Sequence, residues 1–97
     1  MTTYKRIGAV KTTLDILKFL SDQKTPVSGK DVAAALGMPH GTCMCYLATL
    51  DDDGVVRQTG DCFELGMGMS VYWAKTRDRE EKRMNDAKQN LKSIGAI

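Results

Sequence analysis

The stretch that decides the fold runs from Ser28 to Asp52 and reads SGKDVAAALGMPHGTCMCYLATLDD. Ser28 followed by Asp31 resembles a capping box, in which the Ser hydroxyl accepts from a backbone N–H and the acid complements the helix dipole. Gly37 suits a left-handed helix C-cap, and Pro39 suits the first turn of a following helix. The stretch therefore predicts two helices joined by a short turn, which is a helix-turn-helix.

The second helix of this pair is predicted to run from Pro39 to about Asp52. Cys43, Leu47 and Leu50 recur at i, i+4 and i+7 and are expected to face the core, with Tyr46 beside them. The other faces then carry His40, Thr42, Met44, Cys45 and Thr49. These outward side chains are the candidate residues for contact with a ligand.

Working outward, the flanking segments complete a small domain. Residues 9–22 carry an apolar stripe at helical spacing, made of Val10, Leu14, Leu17 and Leu20 with Ile16 widening it. Pro26 ends that pattern, and residues 23–27 are predicted to be a connector. Residues 55–58 and 62–65 are short β-type runs around Thr59-Gly60-Asp61, which predicts a hairpin. A hairpin directly after a helix-turn-helix is a wing.

Residues 67–97 contain no proline and predict one long helix. Its last part follows the 3–4–3 spacing of a heptad seam. The predicted dimerisation residues are Trp73, Met84, Ala87, Leu91 and Ile94, although the same register also places Arg77 and Glu80 on the seam. The fold class is thus mostly α with a small β-hairpin wing: a winged helix-turn-helix with a three-helix core in residues 1–66, and a C-terminal dimerisation helix in residues 67–97.

Composition excludes several classes of protein. The 97 residues are 42% hydrophobic and 27% charged, which is typical of a globular chain. No apolar run is long enough to span a bilayer and no signal peptide is evident, so we expect a cytoplasmic protein without a membrane partner. The three cysteines have neither disulfide nor zinc spacing, and no catalytic constellation is present. We therefore expect no metal, no cofactor and no enzymatic activity.

Residues 9–66 resemble the winged helix-turn-helix of IclR-type transcription regulators. The matching segments are Thr13-Leu14-Asp15-Ile16-Leu17-Lys18-Phe19-Leu20, Pro26-Val27-Ser28-Gly29-Lys30-Asp31-Val32-Ala33, Leu36-Gly37-Met38-Pro39 with Thr42 and Leu47-Ala48-Thr49-Leu50, and Phe63-Glu64-Leu65-Gly66. The resemblance implies a recognition helix in the major groove of DNA, with the wing and helix N-termini on phosphates. Thr42 carries over directly, whereas Gly41 stands where a serine is common and Cys45 where an arginine is usual.

The resemblance predicts a transcription regulator that binds double-stranded DNA in a sequence-specific way, and the heptad seam of the C-terminal helix predicts that it is a homodimer. The predicted DNA-binding residues are Lys11, Ser28, Lys30, His40, Gly41, Thr42, Met44, Cys45, Thr49, Arg57 and Thr59. Typical IclR regulators continue into an effector-binding domain of which this sequence has no trace, so no small-molecule effector is predicted.

The distribution of charge along the chain leaves an alternative function open. Residues 1–66 hold seven Lys/Arg and eight Asp/Glu, while residues 67–97 hold seven and four. Neutralisation of phosphates by cations supplies most of the non-specific affinity for DNA. The predicted DNA-binding unit is not basic, so it has few cations with which to neutralise phosphates. The alternative is a winged-helix module that binds a partner protein and binds DNA little or not at all.

Overall fold

The computed structural model describes residues 3–95, so the predicted helix end at Ile97 lies outside the described residues. The elements in chain order are α1 (Gly8–Ser21), β1 (Val27–Ser28), α2 (Gly29–Leu36), α3 (His40–Asp52), β2 (Val56–Thr59), β3 (Cys62–Leu65) and α4 (Gly68–Gly95). Two compact units divide the chain: the first ends at Met67, and the second, which begins at Gly68, contains α4. The predicted fold class, a winged helix-turn-helix followed by a long helix, is confirmed.

The helix-turn-helix forms through the caps that its sequence predicts. Ser28 is the N-cap of α2, and its hydroxyl accepts a hydrogen bond from the N–H of Asp31 at 3.1 Å. Gly37 ends the helix with φ of 66°, a left-handed conformation that glycine adopts without a steric penalty. The N–H of Met38 then donates to the carbonyl of Ala33 at 3.0 Å, which closes the turn before α3.

The wing is part of a three-stranded antiparallel sheet with the strand order β1-β3-β2. β2 and β3 form the expected hairpin, in which Thr59 pairs with Cys62 and Gly60 has φ of 62° in the turn. β1 was not predicted: Val27 pairs with Phe63 within the segment read as a connector. A strand of two residues has no periodicity, so only its pairing with β3 reveals it.

The core contains Ile16, Leu20, Val32, Ala33, Cys43, Leu47, Val56 and Phe63, all buried. The stripe predicted for α1 is wrong at two positions, because Val10 is 55% exposed and Leu14 is 48% exposed. α1 packs on α2 and β3. Its buried residues, Ile16 and Leu20, both lie in its C-terminal half, so the apolar residues of the first turns remain at the surface.

A close backbone contact joins the end of the wing to the turn after α3. The N–H of Gly66 donates to the carbonyl of Val55 at 2.8 Å. A Cβ atom added at Gly66 would overlap the carbonyl oxygen of Gly54. Only glycine therefore lets the strand end approach this turn so closely, and the contact fixes where the wing begins relative to α3.

α4 is a 28-residue helix with no buried residue in the part of the chain that the structure describes. Its charged half carries local ion pairs, of which Arg83 with Glu80 at 2.7 Å is the shortest. No described helix is long and apolar enough to cross a membrane.

Candidate nucleic-acid interface

One side of α3 is an exposed surface of small side chains. The exposed residues of the helix are His40, Gly41, Thr42, Cys45, Ala48, Thr49 and Asp52. At 100° per residue, five of them lie within an arc of about 120°. We call this surface the outer face of α3 and define it as Gly41, Thr42, Cys45, Ala48 and Thr49. The opposite side contributes the buried Cys43 and Leu47 to the core.

Four of the outward residues predicted for α3, namely His40, Thr42, Cys45 and Thr49, are exposed, while the fifth, Met44, is half-buried. Met44 packs against the core cluster, and its sulfur occupies the space that a Cβ atom at Gly29 would need.

Ala48 was not predicted. Its signal was the spacing: Ala48 follows Gly41 by seven positions and Cys45 by three, which places all three on one side of a helix.

The start of α3 leaves backbone N–H groups available. Pro39 is the N-cap and provides no side-chain cap hydrogen bond. The first N–H groups of a helix have no acceptor within the helix and donate to a cap, to water or to an anion. His40 is exposed at this end. At the start of α2, by contrast, the half-buried Ser28 already satisfies the N–H of Asp31.

The predicted cationic contacts differ in whether an acidic side chain of the chain already pairs with them. Lys11 forms an ion pair with Asp15 at 2.6 Å on α1. Arg57 pairs across the wing with Glu64, and its Nε donates to Glu64 Oε1 at 3.0 Å. Lys30 is exposed near the start of α2, and within residues 3–95 it forms no ion pair. Thr59 is exposed at the end of β2, beside the hairpin turn. Lys30 is thus the predicted contact with an uncompensated charge.

The cysteines do not form a site with His40. Burial raises the pKa of the Cys43 thiol, which keeps it protonated inside the core. Cys45 is exposed on the outer face, on another side of the helix. In the part of the chain that the structure describes, no cluster of three metal-ligating side chains occurs.

A helix-turn-helix with an exposed second helix, followed at once by a β-hairpin, defines the winged helix-turn-helix class. A model of the IclR helix-turn-helix domain matches residues 9–60, more than half of the chain. The chain belongs to this family, whose members are DNA-binding transcription regulators and not enzymes.

Three solved structures are similar to the chain. An IclR transcriptional regulator from Alicyclobacillus acidocaldarius is 26% identical over 64% of this chain, with a TM-score of 0.61. HmgR of Pseudomonas aeruginosa is 25% identical over 93%, with a TM-score of 0.57. An IclR family regulator from Brucella abortus, 20% identical over 72% with a TM-score of 0.65, supports the fold alone.

The chain spans only 26%, 36% and 28% of the lengths of these three proteins, in that order. The comparison with curated protein sequences finds no match.

Proposed function

We propose that this chain binds double-stranded DNA in a sequence-specific way as a small transcription regulator, with α3 in the major groove. The observation that carries the proposal is the outer face of α3, an exposed surface of short side chains on the second helix of the helix-turn-helix. In proteins of this class the N-terminal residues of that helix contact base edges. Gly41, Thr42 and Cys45 lie in that part of α3. A regulator of this kind acts where the DNA is, so we place it in the cytoplasm.

Phosphate contacts complete the proposed interface. The uncapped start of α3 with His40 binds one phosphate, because free N–H groups and the helix dipole favour an anion there. Lys30 binds a second phosphate from α2. Arg57 and Thr59 contact the backbone from the wing, and Lys11 from α1. Arg57 and Lys11 already form ion pairs with Glu64 and Asp15. These pairs weaken the contribution of both cations to phosphate binding.

We further propose that two chains pair through α4. Leu91 and Ile94 are 69% and 74% exposed, and Met84 is 51% exposed, on one heptad seam. An isolated helix is marginally stable in water unless an apolar face is covered. A second copy supplies the same seam and brings two recognition helices to two half-sites. A monomeric mass by light scattering at micromolar concentration would contradict this pairing.

The alternative function, docking on a partner protein, draws support from the charge of the winged unit, which has eight acidic and seven basic side chains in residues 1–66. The two functions differ in their response to salt. DNA binding releases counterions, so its affinity falls steeply as salt rises.

The deciding experiment measures binding of the chain to fluorescent random-sequence duplex DNA at about 50 and 200 mM salt. The three proposed cationic contacts per subunit, from Lys11, Lys30 and Arg57, predict for a dimer a loss of at most about a thousandfold between the two conditions. Selection of preferred sites from a random pool then tests specificity. If no duplex binds at low salt, the partner-protein function replaces the DNA-binding one.

A further inference from the structure

The outer face of α3 has a chemical composition that restricts which bases it can recognise. From His40 to Asp52 the helix contains no Arg, Lys, Asn, Gln or Glu. Bidentate recognition of guanine uses Arg or Lys, and bidentate recognition of adenine uses Asn or Gln. Asp51 and Asp52 are acidic, and a carboxylate accepts a hydrogen bond from cytosine but offers no donor to the N7 of a purine. The face therefore cannot read a purine by paired hydrogen bonds.

The groups that the outer face does present are methyl groups and a thiol. Thr49 donates its hydroxyl proton to the carbonyl of Cys45 at 2.8 Å, so this proton is used within the helix. Its methyl group remains for contact. Ala48 and Thr42 each add a methyl, and Cys45, a small and weakly polar side chain, lies between them.

Short side chains also determine how closely α3 must approach the DNA. A helix with long side chains can read bases from a distance, whereas the side chains of this face reach bases only if the helix backbone lies close to them. Gly41 favours this close approach, because it has no side chain and adds no bulk to the face. The partner that suits close, apolar contact in the major groove is the C5-methyl group of thymine.

We propose that the outer face of α3 recognises T·A base pairs through thymine methyl groups, which Thr42, Cys45, Ala48 and Thr49 contact, and that it does not read guanine. This inference rests on the proposed DNA-binding function and names the base that it prefers. DNA binding itself is argued from the exposure of α3 in the helix-turn-helix and from the family. The chemistry of the small side chains adds only the choice of base. The preferred sites are therefore rich in thymine where α3 lies.

The test uses the full chain and its best site from the random-pool selection. Each thymine of that site is replaced singly by deoxyuridine, which removes the methyl group and keeps the base pairing. We expect a loss of about fourfold in affinity at each thymine under α3, the equivalent of about 0.8 kcal/mol for one buried methyl. Thymines elsewhere in the site serve as controls and show no loss.

Two variants of one residue connect the effect to the protein. Thr49→Ser removes the methyl and keeps the hydroxyl that bonds to Cys45, so the uracil penalty at one thymine should disappear. Thr49→Val keeps a methyl and removes the hydroxyl, so the penalty should remain. Both changes are at an exposed position, which spares the core.

Three results would overturn the inference. The first is a chain that binds its selected site equally well with uracil at every thymine. The second is a loss of affinity that follows replacement of guanine by 7-deazaguanine, which lacks the N7 acceptor, beneath α3. The third is a chain that binds no duplex at low salt, which would overturn the proposed function as well. The first two leave that function standing.

Discussion

Replacing Gly66 by alanine should destabilise the winged unit, because this glycine lies against the backbone of the turn after α3. The added Cβ would overlap the carbonyl oxygen of Gly54 and approach the carbonyl carbon of Val55 at 3.4 Å. Backbone atoms cannot rotate away as a side chain would, so the strand end must shift. The shift would also weaken the 2.8 Å hydrogen bond from the Gly66 N–H to the Val55 carbonyl.

The magnitude follows from three contributions. Overpacking costs about 1–3 kcal/mol, and loss of the hydrogen bond about 1 kcal/mol. Alanine offsets about 0.4–1 kcal/mol by restricting the unfolded chain. Gly66→Ala should therefore lower the free energy of unfolding by about 2 kcal/mol, which lowers Tm by about 8–16 °C in a domain of this size.

The matched control is the same substitution at Gly41, which is exposed in α3 and has nothing within 4 Å of its Cβ position. Alanine has a higher helix propensity than glycine, so Gly41→Ala should stabilise by about 0.5–1 kcal/mol. Thermal melts followed by circular dichroism give Tm. Amide hydrogen exchange at the buried Leu47 reports on the first unit separately from α4. A Gly66→Ala protein within about 0.5 kcal/mol of the parent, or an equal loss in Gly41→Ala, would refute the reasoning.

Three further predictions concern charge, assembly and pH. Lys30→Ala should weaken binding to all duplexes and reduce the salt slope by about 0.9 per subunit in titrations, whereas Lys24→Ala, in the connector after α1, should leave the slope unchanged. Leu91→Asp on the proposed seam should give a monomeric mass by light scattering, while Gln89→Asp, at an outward heptad position, should not. For Cys43, burial raises the pKa of the thiol in the folded state, so the unfolded chain loses this proton first. Its contribution to stability is complete below the pKa of the unfolded thiol and declines as pH rises above that pKa. Urea denaturation should therefore show a steeper alkaline loss in the parent than in Cys43→Ala, and identical profiles would contradict this.

Local signals in the sequence were sufficient to predict the helix-turn-helix. Ser28 caps α2, Gly37 ends it with a left-handed φ, and Pro39 has a fixed φ that suits the start of α3. Each of these effects acts within a few residues. Such effects need no distant partner, and the bounds of α2 and α3 therefore agree with prediction. The hairpin was predictable for the same reason, since its turn brings together segments that are adjacent in the chain.

Exposure on α1 and α3 was decided by tertiary packing. Periodicity identifies an apolar stripe but not how far a neighbouring element covers it, and the core leaves Val10 and Leu14 at the surface. Met44 is half-buried because Gly29 leaves space for its sulfur. The spacing of residues in α3 carries no information about that contact, so it predicts an outward position for Met44.

The sequence by itself determined the four helices and the hairpin, their order, and the chemistry of α3, including its lack of a guanine-reading side chain. Only the tertiary structure decided that β1 pairs with β3, that Gly66 must be small, and that Ala48 and Gly41 remain exposed. The physical reason is the range of the interactions. Caps and turns depend on residues close in sequence, whereas strand pairing, close backbone approach and burial depend on residues that only folding brings together.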